Sequence, residues 1–248
     1  MSPSNIPGVR TRSALARRPG PDPAGPRVSA ASVRGIEDPW PDAGSLGPAC
    51  TYPPGTIGLH QGDPVPMLHL LDGGAVKLVR AESSGRRVLV GFRTTGWLLG
   101  VSAATLARPL PVSAHAVMSC ELRPLPLDAF TRLRRHDVAV AAWLERLLAT
   151  EAYEQTVHLG AMAVLDARAR LLRFLARLLQ VGHTNRPDGT LQLLLALTHD
   201  DLAEAIAVSR ETVTRELAAL DRAGVIRRSK GWLVVPKTSP LIGMPLDD

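Results

Sequence analysis

The stretch LTHDDLAEAIAVSRETVTRELAALDRAGVIRRSKGWLVV, residues 197–235, constrains the fold more than any other part of the chain. It holds two helix starts close together. Thr198 stands three residues before Asp201, the T-x-x-D form of a capping signal. Leu202, Ala205 and Ile206 supply an inner apolar face. A break of about four residues follows, and Ser209 is placed to cap a second helix by accepting a backbone N–H.

On a wheel of about 100° per residue, Val213, Leu217 and Leu220 of the second helix cluster and point inward. Glu211 and Arg215 lie opposite, with Arg210 and Thr214 at the border near the N-terminal end. An arginine fork matches the two acceptors of guanine, and a glutamate accepts from cytosine N4. Two helices joined by a short turn, the second presenting these groups, predict a DNA-reading helix–turn–helix. The alternative is a solvated helix with an i, i+4 pair, the spacing of Glu211 and Arg215.

GVIRRSKGWLVV then reads as strand, turn and strand, with Arg227, Arg228 and Lys230 at or near the tip. Such a wing suits phosphate contact. Seven Lys and Arg stand against Glu211, Glu216 and Asp221 between Ser209 and Lys237, the charge balance of a polyanion-binding surface.

The remaining chain divides by texture. Residues 1–45 are rich in Pro, Gly, Ser, Ala and Arg without apolar periodicity, and are expected to form a disordered tail. Six arginines against Asp22, Glu37 and Asp38 put half of the net charge of +6 in residues 1–40. From about 50 to 127, short apolar runs alternate with Gly and Pro. AVKLVR and RRVLVGF around AESSG read as a hairpin, and many such strands suggest a small barrel or sandwich. VAVAAWLERLLATEAYEQTVHLGAMA reads as one long helix. Its stripe Ala141, Leu144, Leu148, Gln155, Leu159 and Met162 is the expected seam of a homodimer, the alternative being that it packs on its own barrel. LDARARLLRFLARLLQ is a further amphipathic helix, and VGHTNRPDGT after it reads as a loop.

This order of parts resembles the CRP/FNR family of bacterial transcription regulators over roughly residues 50–240. LTHDDLAEAIAVSRETVTREL is similar to that family's helix–turn–helix, GTIGLHQGDP and GGAVKLVRAESSGRRVLVGF to the strands of its cyclic-nucleotide-type β-roll, and LDARARLLRFLARL to the helix opening its DNA-binding domain. The resemblance implies an α+β chain. An antiparallel β-roll of double-stranded β-helix or jelly-roll type occupies residues 46–136, a dimerisation helix 137–164, and a winged helix–turn–helix 165–248. It implies base reading by Arg210, Glu211 and Arg215 over TGTGA-like half-sites. Backbone or capping contacts would come from Thr198, Ser209, Thr212, Thr214, Arg228 and Lys230. Partners would be double-stranded DNA, a second copy and, for an activator, RNA polymerase, in the cytoplasm. Ala207 stands where the family's turn commonly has Gly.

The expected effector pocket is Gly100, Val101, Val112 and Ser113. Nucleotide-binding members carry a Gly-Glu pair followed by Arg-Ser or Arg-Thr. Here Gly100 fits, but Val101 replaces the acid and Val112 precedes Ser113 where arginine belongs. Arg108 is the nearby candidate substitute. A buried phosphate without a cationic partner is strongly disfavoured, so no cyclic nucleotide is expected and no other effector or cofactor is assigned.

His60, His69 and His115 lack metal-ligand spacing and read as surface or core histidines. Cys50 and Cys120 are too few for a four-cysteine cluster and read as reduced, packed thiols, a redox pair being the alternative. No apolar run reaches the roughly 20 residues of a membrane span. The chain has no GxSxG, P-loop, HExxH or paired acid–base motif, so an enzyme is not expected. The rival to a DNA-binding regulator is a ligand-binding module whose DNA-binding domain is vestigial.

Overall fold

The computed structural model describes residues 46–55, 59–195, 197–229 and 231–246. The expected tail at 1–45 and the wing-tip Lys230 lie outside them. The architecture is α+β: an antiparallel roll, a long helix, and a helical domain with a wing.

The roll is built from β1 (Cys50–Tyr52), β2 (Met67–Gly73), β3 (Ala75–Ala81), β4 (Arg87–Thr94), β5 (Leu98–Leu99), α1 (Val101–Leu106), β6 (Ser113–Ala116) and β7 (Cys120–Pro126). One sheet has the order β1-β7-β2-β5 and the facing sheet β4-β3-β6. β3 and β4 form the hairpin expected around AESSG. Gly74, at φ 91°, joins the two sheets. A Cβ there would lie 2.4 Å from the Ser119 carbonyl oxygen, so only glycine fits without backbone movement.

α2 (Leu127–His136) closes the roll, and α3 (Val138–Val164) follows after Asp137. Asp137 ends one helix and caps the next, accepting from the N–H groups of Ala139 and Val140. The first half of α3 belongs to its own roll. Val140, Trp143, Leu144 and Leu147 are buried with Leu68, Leu98 and Phe130. Leu144 of the expected seam is therefore core, and the exposed residues of α3 include Ala142, Glu145, Arg146, Ala149, Ala152, Tyr153, Leu159 and Ala163.

The C-terminal domain contains α4 (Ala167–Val181), β8 (His183–Asn185), β9 (Leu191–Leu193), α5 (His199–Ile206), α6 (Arg210–Arg222), β10 (Arg227–Ser229) and β11 (Trp232–Val235). The segment read as a loop after α4 is a hairpin. β8 and β9 join β10 and β11 in a sheet of order β10-β11-β9-β8. Its turn uses Gly189 at φ 77°, and the Asp188 carboxylate accepts from the Thr190 N–H and hydroxyl. The Pro-Asp-Gly sequence carried this signal.

The domains share one core. Ala75, Val79, Leu89 and Phe92 of the β3–β4 hairpin pack with Leu171, Leu175, Leu202 and Ile206. Arg170 fixes the junction: its guanidinium donates to the carbonyls of Met162 at 2.8 Å, Leu165 at 2.8 Å and Ile206 at 3.2 Å. One side chain thus satisfies carbonyls left open at the ends of both α3 and α5.

Candidate nucleic-acid interface and effector cavity

Helix α5 begins with a complete capping box. The Thr198 hydroxyl accepts from the Asp201 N–H at 3.1 Å, and the Asp201 carboxylate accepts from the Thr198 N–H at 2.9 Å. The turn to α6 is three residues, Ala207, Val208 and Ser209, one fewer than read from the sequence. Ala207 turns the chain at φ 55° and ψ 47°, the left-handed conformation that glycine adopts without strain. Val208 and Val213 join the core at the two positions of a hydrophobic staple, which sets the entry angle of α6. The Ser209 hydroxyl accepts from the Thr212 N–H at 3.2 Å.

With Val213, Leu217 and Leu220 buried, the other side of α6 has nowhere to point but outward. Arg210, Glu211, Thr214 and Arg215 are exposed there. The Arg210 Nη1 lies 3.4 Å from Asp200, and Arg215 Nε lies 3.5 Å from its neighbour Glu216 rather than pairing with Glu211. Exposed pairs of this kind are worth about 0–1 kcal/mol, so both guanidinium groups can be given up to a better acceptor. The backbone N–H of Glu211 and then the Ser209 hydroxyl hold the Glu211 carboxyl below the usual range, so it stays an acceptor. Thr214 donates to the Arg210 carbonyl at 2.9 Å, which makes His199 Nδ1, 2.9 Å away, the donor to the Thr214 oxygen. In the wing, Arg228 Nε lies 3.2 Å from Asp221 of α6, and Arg227 is exposed.

A second feature lies inside the roll. A cavity of about 110 Å³ sits where β5 leads into α1. Gly100, Val101 and Val112 line it. Ser113 does not; its hydroxyl accepts from the Gln61 N–H at 2.9 Å. Arg108 is exposed beyond Ala107 and is not among the lining residues. The cation that does line the cavity is Arg93 of β4, which sequence reasoning missed. It is 2% exposed and sits 2.7 Å from Glu151 of α3, donates to the Phe92 carbonyl at 2.9 Å, and lies 4.2 Å over the Trp97 ring. The sequence signal was an arginine closing the apolar run VLVGF, a position that would otherwise extend a strand into the core.

Cys120 is buried and its thiol points at the Ala75 and Met118 carbonyl oxygens, whereas Cys50 is exposed, against the expectation of two packed thiols. On the β1–β7 ladder Cys120 faces Tyr52 and Cys50 faces Leu122, so the two are not cross-strand partners. Burial lowers the pKa of His69 and, with Lys77 and Arg87 nearby, that of His115. No helix among the described residues is long and apolar enough to cross a membrane.

Residues 49–137 match the cyclic nucleotide-binding domain family, and residues 169–242 the Crp-like helix-turn-helix domain. The chain is 32% identical over 190 residues to the cyclic AMP receptor protein of Thermus thermophilus, covering 77% of this chain and 84% of that one. The chain belongs to the CRP/FNR family. It is a transcription regulator of that type, with a helix–turn–helix DNA-binding domain. It is also 30% identical over 181 residues to the global nitrogen regulator of Synechococcus elongatus, covering 70% of this chain and 79% of the relative. A CRP/FNR-family transcriptional regulator from Thermus thermophilus has the same fold at TM-score 0.67 and 23% identity, over 79% of this chain and 96% of that one. So does the c-di-GMP-responsive global regulator of Xanthomonas campestris, at TM-score 0.66 and 20% identity, over 79% and 96%.

At the position after Gly100, where an acid was sought in the sequence, the chain presents the buried methyl groups of Val101, 3% exposed. Among the described residues, the one cation lining the cavity, Arg93, is paired with Glu151 and lies 3.9 Å from Glu154 as well.

Proposed function

We propose that the chain is a homodimer that reads an inverted repeat, each protomer laying α6 in the major groove of one half-site. The observation carrying this reading is the polarity of α6: its apolar face is locked in the core while Arg210, Glu211 and Arg215 stand together in solvent. Arg210 and Arg215 contact guanines and Glu211 a cytosine. Thr198, Ser209, Thr212 and Thr214 order the helix starts or meet phosphate, and the wing, with Arg228 and Lys230, holds the backbone.

The dimer forms through the exposed face of α3, where, among the described residues, Tyr153 is 59% and Leu159 66% exposed. Ala142, Ala149 and Ala152 let two such helices approach closely. Two-fold symmetry then places the half-sites about one helical turn, roughly 34–36 Å, apart. The roll acts as the sensor and signals through α3, which it touches at Glu151. Cyclic nucleotides are not its effectors. The protein works in the cytoplasm, and as an activator it would engage RNA polymerase.

Selection of duplexes from a random pool tests the reading. An enriched inverted repeat with TGTGA-like halves is expected. Retention of duplex without any enriched sequence would leave the vestigial-domain alternative standing.

A further inference from the structure

We propose that the cavity beside Gly100 takes a compact, branched apolar monocarboxylate whose carboxylate replaces Glu151 on Arg93. This deepens the reading of the roll as a sensor and rests on it.

The walls set the body of the ligand. Leu78, Val90, Leu99, Val101, Leu110 and Val112 present only aliphatic carbon. The volume of about 110 Å³ sets its size. That is below the roughly 150 Å³ of an apolar cavity known to hold benzene, and far below the ~300–1,000 Å³ of pockets for drug-sized ligands such as nucleotides. The fit is an apolar group of about four heavy atoms, smaller than a benzene ring.

Arg93 sets the head group. A guanidinium only 2% exposed must keep a carboxylate beside it, and Trp97 beneath it holds the fork in one plane, the geometry for two parallel bonds to a carboxylate. Its present partner is replaceable. Glu151 also lines the cavity and its side chain is 25% exposed, so its carboxylate can turn to water when another arrives. Arg93 then stays neutralised, and no charge is buried unpaired. A neutral ligand gains nothing from Arg93.

The exchange reports to α3. Glu151 leaves the roll, while Glu154, one turn on and 3.9 Å from Arg93, still holds Arg177 of α4 at 2.7 Å. Ligand arrival thereby changes what ties the roll to α3 without breaking what ties α3 to the DNA-binding domain.

Calorimetry of the full chain with isovalerate and pivalate, beside isovaleramide and pivalamide, tests this. At least one acid should bind saturably, its amide about 10-fold more weakly or worse. Glu151→Gln should tighten the acid several-fold and leave the amide unchanged. Arg93→Met should abolish acid binding. Should that variant lose its fold by circular dichroism, Val112→Phe fills the cavity with Arg93 still paired and should abolish it equally. No binding of either acid, equal binding of acid and amide, or unchanged binding by Val112→Phe each overturns the proposal. Duplex selection on the same protein separates the two readings: sequence-specific DNA binding without acid binding sinks only the ligand, while acid binding without sequence preference sinks only the reader.

Discussion

Lys77 of the roll is ion-paired with Asp201, the same residue whose carboxylate closes the capping box at the start of α5. One carboxylate therefore starts the first helix of the helix–turn–helix and fastens it to the roll. Burial pushes the Asp201 carboxyl up, but bonds from Lys77 and Thr198 outweigh that and hold it below its usual value of 3.8. One turn on, Glu204 faces Arg87 at 3.4 Å, yet burial prevails there and raises its carboxyl. Its Oε2 is buried without a hydrogen-bond partner among the described residues.

Replacing Lys77 with Met should lower stability at pH 7 by roughly 1–3 kcal/mol, because it leaves a mostly buried carboxylate short of its cation. Asp201 has a depressed folded pKa, so its contribution is present above the unfolded value near 3.8 and fades as pH falls through the folded one. Glu204, with a raised folded pKa, acts in reverse and disfavours the fold as pH rises through that value. Urea unfolding of wild type and variant from pH 7 to pH 3 should show the difference shrinking with acid. A difference independent of pH would remove Asp201 from the account.

Ala207→Gly should raise stability by about 0.5–1 kcal/mol, since relief of the left-handed strain exceeds the extra chain entropy of glycine. The denaturant midpoint should rise while DNA sequence preference stays unchanged. A lower midpoint would mean that the turn is not under strain.

Arg215→Ala and Arg228→Ala should fail differently on DNA. The first should cost roughly 1–3 kcal/mol and relax choice at one guanine. The second should weaken all duplexes alike and reduce the salt slope by about 0.9. Binding isotherms across a salt series read both. Uniform loss with full specificity for Arg215→Ala would show that α6 is not the reader.

Leu159→Asp should weaken self-association while the protomer stays folded, because Leu159 is 66% exposed. Leu144→Asp should instead unfold the roll, because Leu144 is 3% exposed in its core. Sedimentation with circular dichroism distinguishes them, and an unchanged dimer with Leu159→Asp would move the interface elsewhere.

Cyclic AMP and cyclic GMP should give no saturable heat at micromolar concentration. Val101 offers no acceptor to a ribose hydroxyl, and the cavity is too small for a nucleotide. Micromolar affinity for either would show that the cavity opens.

The helix–turn–helix was legible because its signals are local. The T-x-x-D cap, the serine cap and the helical spacing of Val213, Leu217 and Leu220 all fall within one short segment and agree. What was missed depends on distant residues meeting. Periodicity marks Leu144 as apolar, but only the closed roll shows that it faces Phe130 rather than a second copy. Arg93 meets Glu151 across 58 positions and Lys77 meets Asp201 across 124, and neither spacing leaves a mark in sequence. The β8–β9 hairpin was passed over for another reason: its turn residues were plain, but strands of three residues carry too little alternation to register.

The Arg170 clamp has a mechanical consequence. Because one guanidinium grips the end of α3 and the end of α5, any rotation of the long helix is handed to the reader without slack. Val164 lies about 20 Å along the axis from Glu151, so a tilt of about 5° there swings the far end by roughly 2 Å. In a symmetric pair both ends swing in opposite senses and the displacement doubles. In the proposed dimer, the distance between the two α6 helices, rather than the chemistry of either one, would then be the quantity such a lever adjusts.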